Sequence, residues 1–378
     1  MSIEVRPVKG NRERRIFLTF PWKIYKNDPL WVPPLLPERK KVIDPLQGKF
    51  FQDGYAELFM AWKDGQPAGT LSCGEDVSAT HSRGWGECQL GFFECVNDYE
   101  VAAALFDRAS AWARQHGLVR LLGTYNLDRE ESRGILIDGR DRPAAVYCGY
   151  NPTYYPEFFE RYGFDKFGGD GVAYFVELKL DNPEIQHLLR LAEKIRKRKA
   201  ITVRGANLKD IDGEVDRIVD LQNRGLVHMF DYTPYTRAAI EALVLPMVEI
   251  VDPELVLFAE IDGKAVGWFP AIPNLNEVLI HLNGLRYPWD YLRALRYSKY
   301  QSKSIAIKSV VVPPEYWDTG VGVLLFAEMA QRAAGKGYEW VDMSLTGEDN
   351  TDTAPLALRM GARVYKRYRF YVKPLDGK

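Results

Sequence analysis

The sequence predicts an α/β (α+β) chain made of two copies of one module. Three observations carry that prediction. The first is size with ordinary globular composition: 378 residues, 46% hydrophobic and 27% charged. That is enough for two or three domains at about 150 residues each, and too apolar for a disordered chain. The second is a hairpin that recurs 198 residues later. The third is a helix-ending glycine that recurs at the same offset.

The hairpin is Leu58 to Gly69, strand, turn, strand, with Asp64-Gly65 at the tip. Asp-Gly suits the positive φ of a two-residue hairpin turn. Val256 to Gly267 repeats it around Asp262-Gly263, and Ala61, Asp64, Gly65 and Gly69 are matched by Ala259, Asp262, Gly263 and Gly267. Downstream of the first hairpin, Val101, Leu105, Ala109 and Trp112 mark one apolar stripe over about Glu100 to His116. That spacing predicts a helix. A strand is expected at Val119 to Thr124. Phe158 to Gly163 then reads as a helix end, because glycine commonly follows the last helical residue. A strand over Val172 to Leu178 closes the first copy.

Asp181-Asn182-Pro183 offers a helix cap with proline at the first helical position. Ile185, Leu188, Leu189, Ala192 and Ile195 form the stripe of a joining helix over 183–200. It ends in Lys194-Ile195-Arg196-Lys197-Arg198-Lys199, cations that suit a helix C-terminus. The second copy repeats the order. Val323, Phe326, Ala327, Ala330 and Ala334 predict a helix over about Gly322 to Gly335, a strand follows at Glu339 to Ser344, and Met360-Gly361 ends a helix before a strand run at Tyr365 to Val372. Gly163 and Gly361 are again 198 apart, but the long helices are about 220 apart. The second copy therefore carries about 22 extra residues between its hairpin and its long helix. The expected division is 1–182, a joining helix at 183–200, and 201–378.

Charge and cysteine usage exclude several classes. Lys plus Arg number 50 and Asp plus Glu 51, a net charge of −1. Dedicated nucleic-acid binders are usually basic. No signal-peptide pattern or long apolar run is read, so a membrane partner is not expected and the cytoplasm is. Cys73, Cys88, Cys95 and Cys148 form no C-x-x-C pair, which argues against a zinc ribbon and for buried, reduced thiols. No His, Asp or Glu cluster has metal spacing.

One segment carries chemistry. Lys308-Ser309-Val310-Val311-Val312 reads as a strand. Pro313 to Gly322 follows and leads into the long helix. A glycine-containing turn at a helix N-terminus is an anion site, since free N–H groups point outward and the helix dipole adds about half a positive charge. It is neither a Walker A loop nor G-x-G-x-x-G.

Here the chain resembles the GCN5-related N-acetyltransferase (GNAT) superfamily. In that family a strand ending in Val-x-Pro leads into Arg/Gln-x-x-Gly-x-Gly/Ala, whose N–H groups hold the acyl-CoA pyrophosphate. Val310, Val311 and Val312 match the strand that pairs with the pantetheine arm. Trp317, Asp318, Thr319, Gly320, Val321 and Gly322 match the loop. Asn350, with Leu356 and Gly361 after it, is similar to the family's Asn-led fourth helix. Tyr150 to Tyr155 and Trp31 to Pro34 also resemble bacterial tandem GNAT-like proteins. The resemblance implies two tandem acyl-CoA N-acyltransferase-like modules, each a mixed, mostly antiparallel twisted sheet flanked by helices. It implies acetyl-CoA or another acyl-CoA as co-substrate, no metal, and acetyl transfer to an amine of a small metabolite or peptide. It leaves a homodimer open.

The sequence departs from the pattern in three places. Trp317 stands where Arg or Gln is usual, Asp318 brings a negative charge to the loop, and Ala357 stands where the fourth helix often has tyrosine. The first copy's turn, Val96 to Glu100, has no glycine and two acids, so it is expected to be degenerate as a CoA site. Acyl transfer needs a base for the ammonium and a donor for the thiolate. His281, Ser344 and Tyr368 are the candidates, with Tyr371 beside them. Tyr125 to Tyr155, rich in Arg, Asp, Asn and Tyr, is a candidate acceptor region. Two rivals follow from the same residues. The basic run at Arg196 suits an aminoacyl-tRNA-dependent transferase, and Trp317, Asp318 and Ala357 suit a non-catalytic CoA- or ligand-binding protein.

Overall fold

A computed structural model gives the structure of the protein and describes residues 2–127, 133–228, 234–297, 299–308, 310–348 and 357–375. The chain forms two compact units. One comprises Met1–Gly171, Asn276–Tyr300 and Lys366–Lys378, and the other Val172–Leu275 and Gln301–Tyr365. This partition is drawn in space, whereas the division at 182 and 201 is drawn along the chain.

In chain order the strands begin with β1 (Ile3–Pro7), β2 (Gly54–Lys63), β3 (Gln66–Asp76), β4 (Cys88–Cys95), β5 (Arg120–Gly123), β6 (Ile135–Asp138) and β7 (Asp165–Lys166). They continue with β8 (Gly171–Glu177), β9 (Ile201–Gly205), β10 (Val256–Ile261), β11 (Lys264–Pro273), β12 (Ser304–Ile307), β13 (Trp340–Gly347), β14 (Arg363–Arg369) and β15 (Tyr371–Pro374).

The first unit has the sheet order β1-β2-β3-β4-β5-β15-β7. Only β4 and β5 run parallel among its recorded pairs. The β2–β3 turn is Asp64 (φ 49°) and Gly65 (φ 76°), as Asp-Gly predicts. The helix Tyr99–Gln115 buries Val101, Leu105, Ala109 and Trp112, the stripe read from the sequence. Its core is aromatic. Phe106 lies 5.1 Å from Phe93 and 4.8 Å from Phe159, and Tyr371 of β15 stacks on Phe159 at 5.0 Å. The final strand of the chain therefore belongs to this core. Tyr365 to Val372, expected as one strand, is two strands broken at Phe370.

The second sheet places β9, β10, β11, β12, β13, β8 and β14 side by side in that order, with β14 leaving the second unit after Tyr365. Its β10–β11 turn repeats the first, with Asp262 at φ 49° and Gly263 at φ 75°. Both hairpins also share a register shift, between Ala61 and Trp62 and between Ala259 and Glu260. The joining helix is Pro183–Arg198; Asn182 accepts from Glu184 N–H, and Pro183 starts the helix. Its Ile185, Leu188 and Ala192 are buried in this unit's core with Val323, Phe326, Ala327 and Ala330 of the helix Val321–Gly335. Gly163 and Gly361 both take positive φ, 89° and 74°, as helix-ending glycines.

All four cysteines are buried free thiols. Among the described residues no helix is long and apolar enough to cross a membrane. The extra residues of the second copy fall in Asn276–Tyr300, which belongs to the first unit. They carry the helix Pro288–Tyr297.

Candidate acyl-CoA site

The site is built where two parallel strands part. β12 pairs with β13 from Ser304↔Trp340 to Ile307↔Met343. β13 runs on to Gly347, while the chain after β12 stays with β11. Lys308 N–H donates to Pro270 O at 3.2 Å, and Val311 and Trp268 exchange both backbone bonds at 2.8 and 2.9 Å. Val310 to Val312 was expected as a strand; only Val311 is bridged, because its single ladder partner is Trp268. The carboxyl ends of parallel strands, where neighbouring strands separate, are where α/β folds bind ligands.

A polar relay fills the base of this wedge. Lys308 Nζ donates to Ser344 Oγ at 2.8 Å and to Ser344 O at 3.1 Å. Ser344 Oγ donates to Asp342 Oδ1, and Tyr365 OH donates to Asp342 Oδ2 at 2.6 Å. Lys308 Nζ is also 3.7 Å from Asp342. Asp342 is fully buried and Ser344 nearly so. A buried carboxylate needs such partners, since an unpaired one costs several kcal/mol. Asp342 and Ser344 share one face of β13, the two-residue period of a strand. Of these four, the sequence had singled out Ser344 alone. Two polar residues at i and i+2 in an apolar strand were the signal for the rest.

The loop follows. Pro314–Thr319 is a 3₁₀ turn, Gly320 stands at φ 90°, and the helix starts at Val321. A Cβ on Gly320 would lie 2.7 Å from Ile195 Cδ1, so the joining helix packs directly on the loop. Thr319 Oγ1 accepts from Val321 N–H at 3.4 Å. Trp317 is exposed, yet its Nε1 donates to Val312 O at 2.7 Å, and its ring meets the edge of His228 at 5.3 Å. The tryptophan thus ties the loop back to the strand. Asp318 is exposed. The missed partner is Lys199, whose Nζ donates to Thr319 O at 2.9 Å. The basic end of the joining helix therefore brings a cation to the loop, while Arg196 pairs with Glu328. Asn350 lies outside the described residues, as does Leu356.

The other candidates fall in the first unit. His281 is exposed in the inserted segment and stacks on Tyr297 at 4.6 Å. Tyr368 is buried in β14, and Tyr371 OH donates to Glu160 at 2.9 Å. The structure does not gather His281 and Tyr368 with Ser344 in one unit.

The first unit has the same wedge, filled by its own chain. β4–β5 pairing ends at Leu90↔Gly123. Tyr125 N–H donates to Leu90 O at 2.6 Å, Asn126 Oδ1 accepts from Phe92 N–H at 2.7 Å, and Tyr125 O occupies the space a Cβ on Gly91 would need. Beyond it lies a half-buried carboxyl. Glu94 accepts from Tyr155 OH at 2.7 Å and Tyr25 OH at 3.0 Å. Burial pushes its pKa up to about 7, although the two phenol hydrogen bonds pull the other way.

With this geometry in place, residues 216–362 match the acetyltransferase (GNAT) family model. That segment is similar to a GNAT domain. It includes the wedge, the relay residues Lys308, Asp342 and Ser344, and the whole loop. The chain is 29% identical over 383 aligned positions to a protein named bacterial ceramide synthase from Caulobacter vibrioides, covering 99% of this chain and 98% of that one. It is 27% identical to Protein YghO of Escherichia coli, covering 98% and 95%. Among solved structures, a tandem GNAT protein from the clavulanic acid biosynthesis pathway matches with a TM-score of 0.58 at 12% identity, each chain covered in full. A GCN5-related N-acetyltransferase from Sphaerobacter thermophilus matches with a TM-score of 0.55 at 14% identity, covering 99% of this chain and 96% of that one. The fold is the tandem GNAT fold.

Proposed function

We propose that the protein is an acyl-CoA-dependent N-acyltransferase that forms an amide on the amine of a small molecule. The observation that carries this reading is the wedge left where the chain after β12 parts from β13 and stays with β11. It sits between a lysine-serine relay and a glycine loop at a helix N-terminus. The N-terminus of Val321–Gly335 and Lys199 would receive the CoA phosphates. Gly320 supplies the left-handed turn into that N-terminus, with Ile195 packed against it. With Val311 paired to Trp268 and Val312 O taken by Trp317, the backbone of Val310 and the Val312 N–H would align the thioester arm.

In the reaction the amine nitrogen attacks the thioester carbonyl and the C–S bond breaks. The amine gives up a proton and the departing thiolate gains one. The Lys308 ammonium would stabilise the oxyanion that forms at the carbonyl. Ser344, whose single hydroxyl proton goes to Asp342, would hold Lys308 in position, and the proton leaving the amine would pass through water to the departing thiolate. Alignment of amine and thioester supplies much of the remaining rate.

Ceramide is an amide of a long-chain amino alcohol, and the full-length Caulobacter relative carries that name. We therefore put a long-chain amino alcohol first among the acceptors to test. Calorimetry with acetyl-CoA and with a long-chain acyl-CoA tests the donor, and mass spectrometry of the amide tests the acceptor. No binding of either acyl-CoA at millimolar concentration would sink the reading. Binding without an amide product from any amine would leave a CoA-binding protein instead.

A further inference from the structure

The inserted segment carries a helix that is built inside out. Pro288–Tyr297 buries one residue, Asp290, and that residue is an acid. Asp290 is fully enclosed and accepts from Tyr287 N–H at 2.9 Å, Asn283 Nδ2 at 3.1 Å and Arg293 at 3.1 Å. These bonds tie the helix to the residues just before it, and Asn283 in turn accepts from Trp22 Nε1 at 2.7 Å. The large apolar side chains point the other way. Trp289 is 55% exposed, Tyr291 50%, Leu292 68% and Leu295 71%.

At 100° per residue Tyr291, Leu295 and Leu292 form one continuous stripe. Arg296, Trp289 and Arg293 follow along one flank. Between residues 286 and 300 there are four cations, Arg286, Arg293, Arg296 and Lys299, against Asp290 alone. Since that acid is buried, the exposed face is apolar and cationic. Exposed leucines cost nothing to leave out of a core here, because the helix is held by its acid. They gain only if something apolar covers them.

We propose that this helix docks the protein on an anionic lipid surface. Leucine would enter the acyl boundary, Trp289 and Tyr291 would sit at headgroup level, and the arginines would meet lipid phosphates. Charge decides against a second copy of the chain. A two-fold contact through this face would bring two clusters of cations together, with no exposed acid on the helix to pair them. The helix would lie in the surface plane, which does not require a spanning segment. The proposal stands apart from the acyl-transfer reading, because it concerns binding in the absence of any substrate.

The test is sedimentation of the full-length protein with vesicles of phosphatidylcholine, alone or mixed with phosphatidylglycerol. The wild type is expected to bind the mixed vesicles, more weakly as salt rises. Leu292→Glu with Leu295→Glu should weaken binding at least tenfold, from lost apolar burial alone. Arg296→Glu with Lys299→Glu should abolish the preference for the anionic mixture. All four positions are exposed, so thermal melting should be unchanged in both variants. Failure of the wild type to bind mixed vesicles would overturn the proposal, and so would undiminished binding of the leucine variant. A lipid-free dimer in sedimentation velocity that Leu292→Glu dissociates would assign the face to self-association instead.

Discussion

Glu94 is a carboxyl in a phenol-lined interior, and its protonation couples to stability. Its native pKa stands near 7 against an ordinary 4.5. Between those values the unfolded chain releases the proton while the folded chain keeps it. Stability from this group is therefore present below about pH 4.5 and is lost as pH rises toward 7, by roughly 3 kcal/mol in all. Glu94→Gln should remove that slope. Urea unfolding of both proteins at pH 5 and pH 7.5 checks it: the difference between them should shift toward the variant at the higher pH, and a pH-independent difference would refute the raised pKa. Gly320 is constrained twice, by φ 90° and by Ile195. Gly320→Ala should cost about 1–3 kcal/mol by chemical denaturation. Ile195→Ala in that background should relieve the contact but leave the cost of the backbone angle. Lys308→Gln should lower kcat about a hundredfold, in the range of a lost oxyanion donor, while calorimetric affinity for acyl-CoA changes little.

The elements were the part most open to sequence reading. The helix Tyr99–Gln115 and the helix Val321–Gly335 start within one residue of their expected positions, because each buries an apolar stripe that no other structure would hide. The joining helix was legible from Asn182-Pro183 and its stripe. Its role was not. Lys199 reads as a helix-end cation, and its bond to Thr319 O exists only because Ile195 packs on Gly320. Lys199→Glu should weaken acyl-CoA binding by tenfold or more, since it exchanges a cation for an anion beside the phosphates. Equal affinity in calorimetry would remove Lys199 from the site. The wedge itself was half legible. The valines marked its edge, but the relay of Lys308, Ser344, Asp342 and Tyr365 joins three strands.

At the scale of the whole molecule, the last strand of the chain lies between β5 and β7 of the first unit. Deleting 371–378 removes Tyr371 from the aromatic core and should destabilise the first unit by more than about 3 kcal/mol. Hydrogen exchange would register it as lost protection in β5 and in the helix Tyr155–Tyr162 before the second unit's long helix. Equal loss everywhere would contradict the assignment. By itself the sequence determined the repeat, the paired Asp-Gly hairpins, the long helices and the glycine loop. Those depend on local backbone preference and on periodic burial, which neighbouring residues encode. Only the tertiary structure decided which sheet receives β15, which unit holds Asn276–Tyr300, and which side chains meet Ser344. Those depend on contacts between residues far apart in sequence, and a strand's own pattern is equally satisfied beside any neighbour that covers its apolar face.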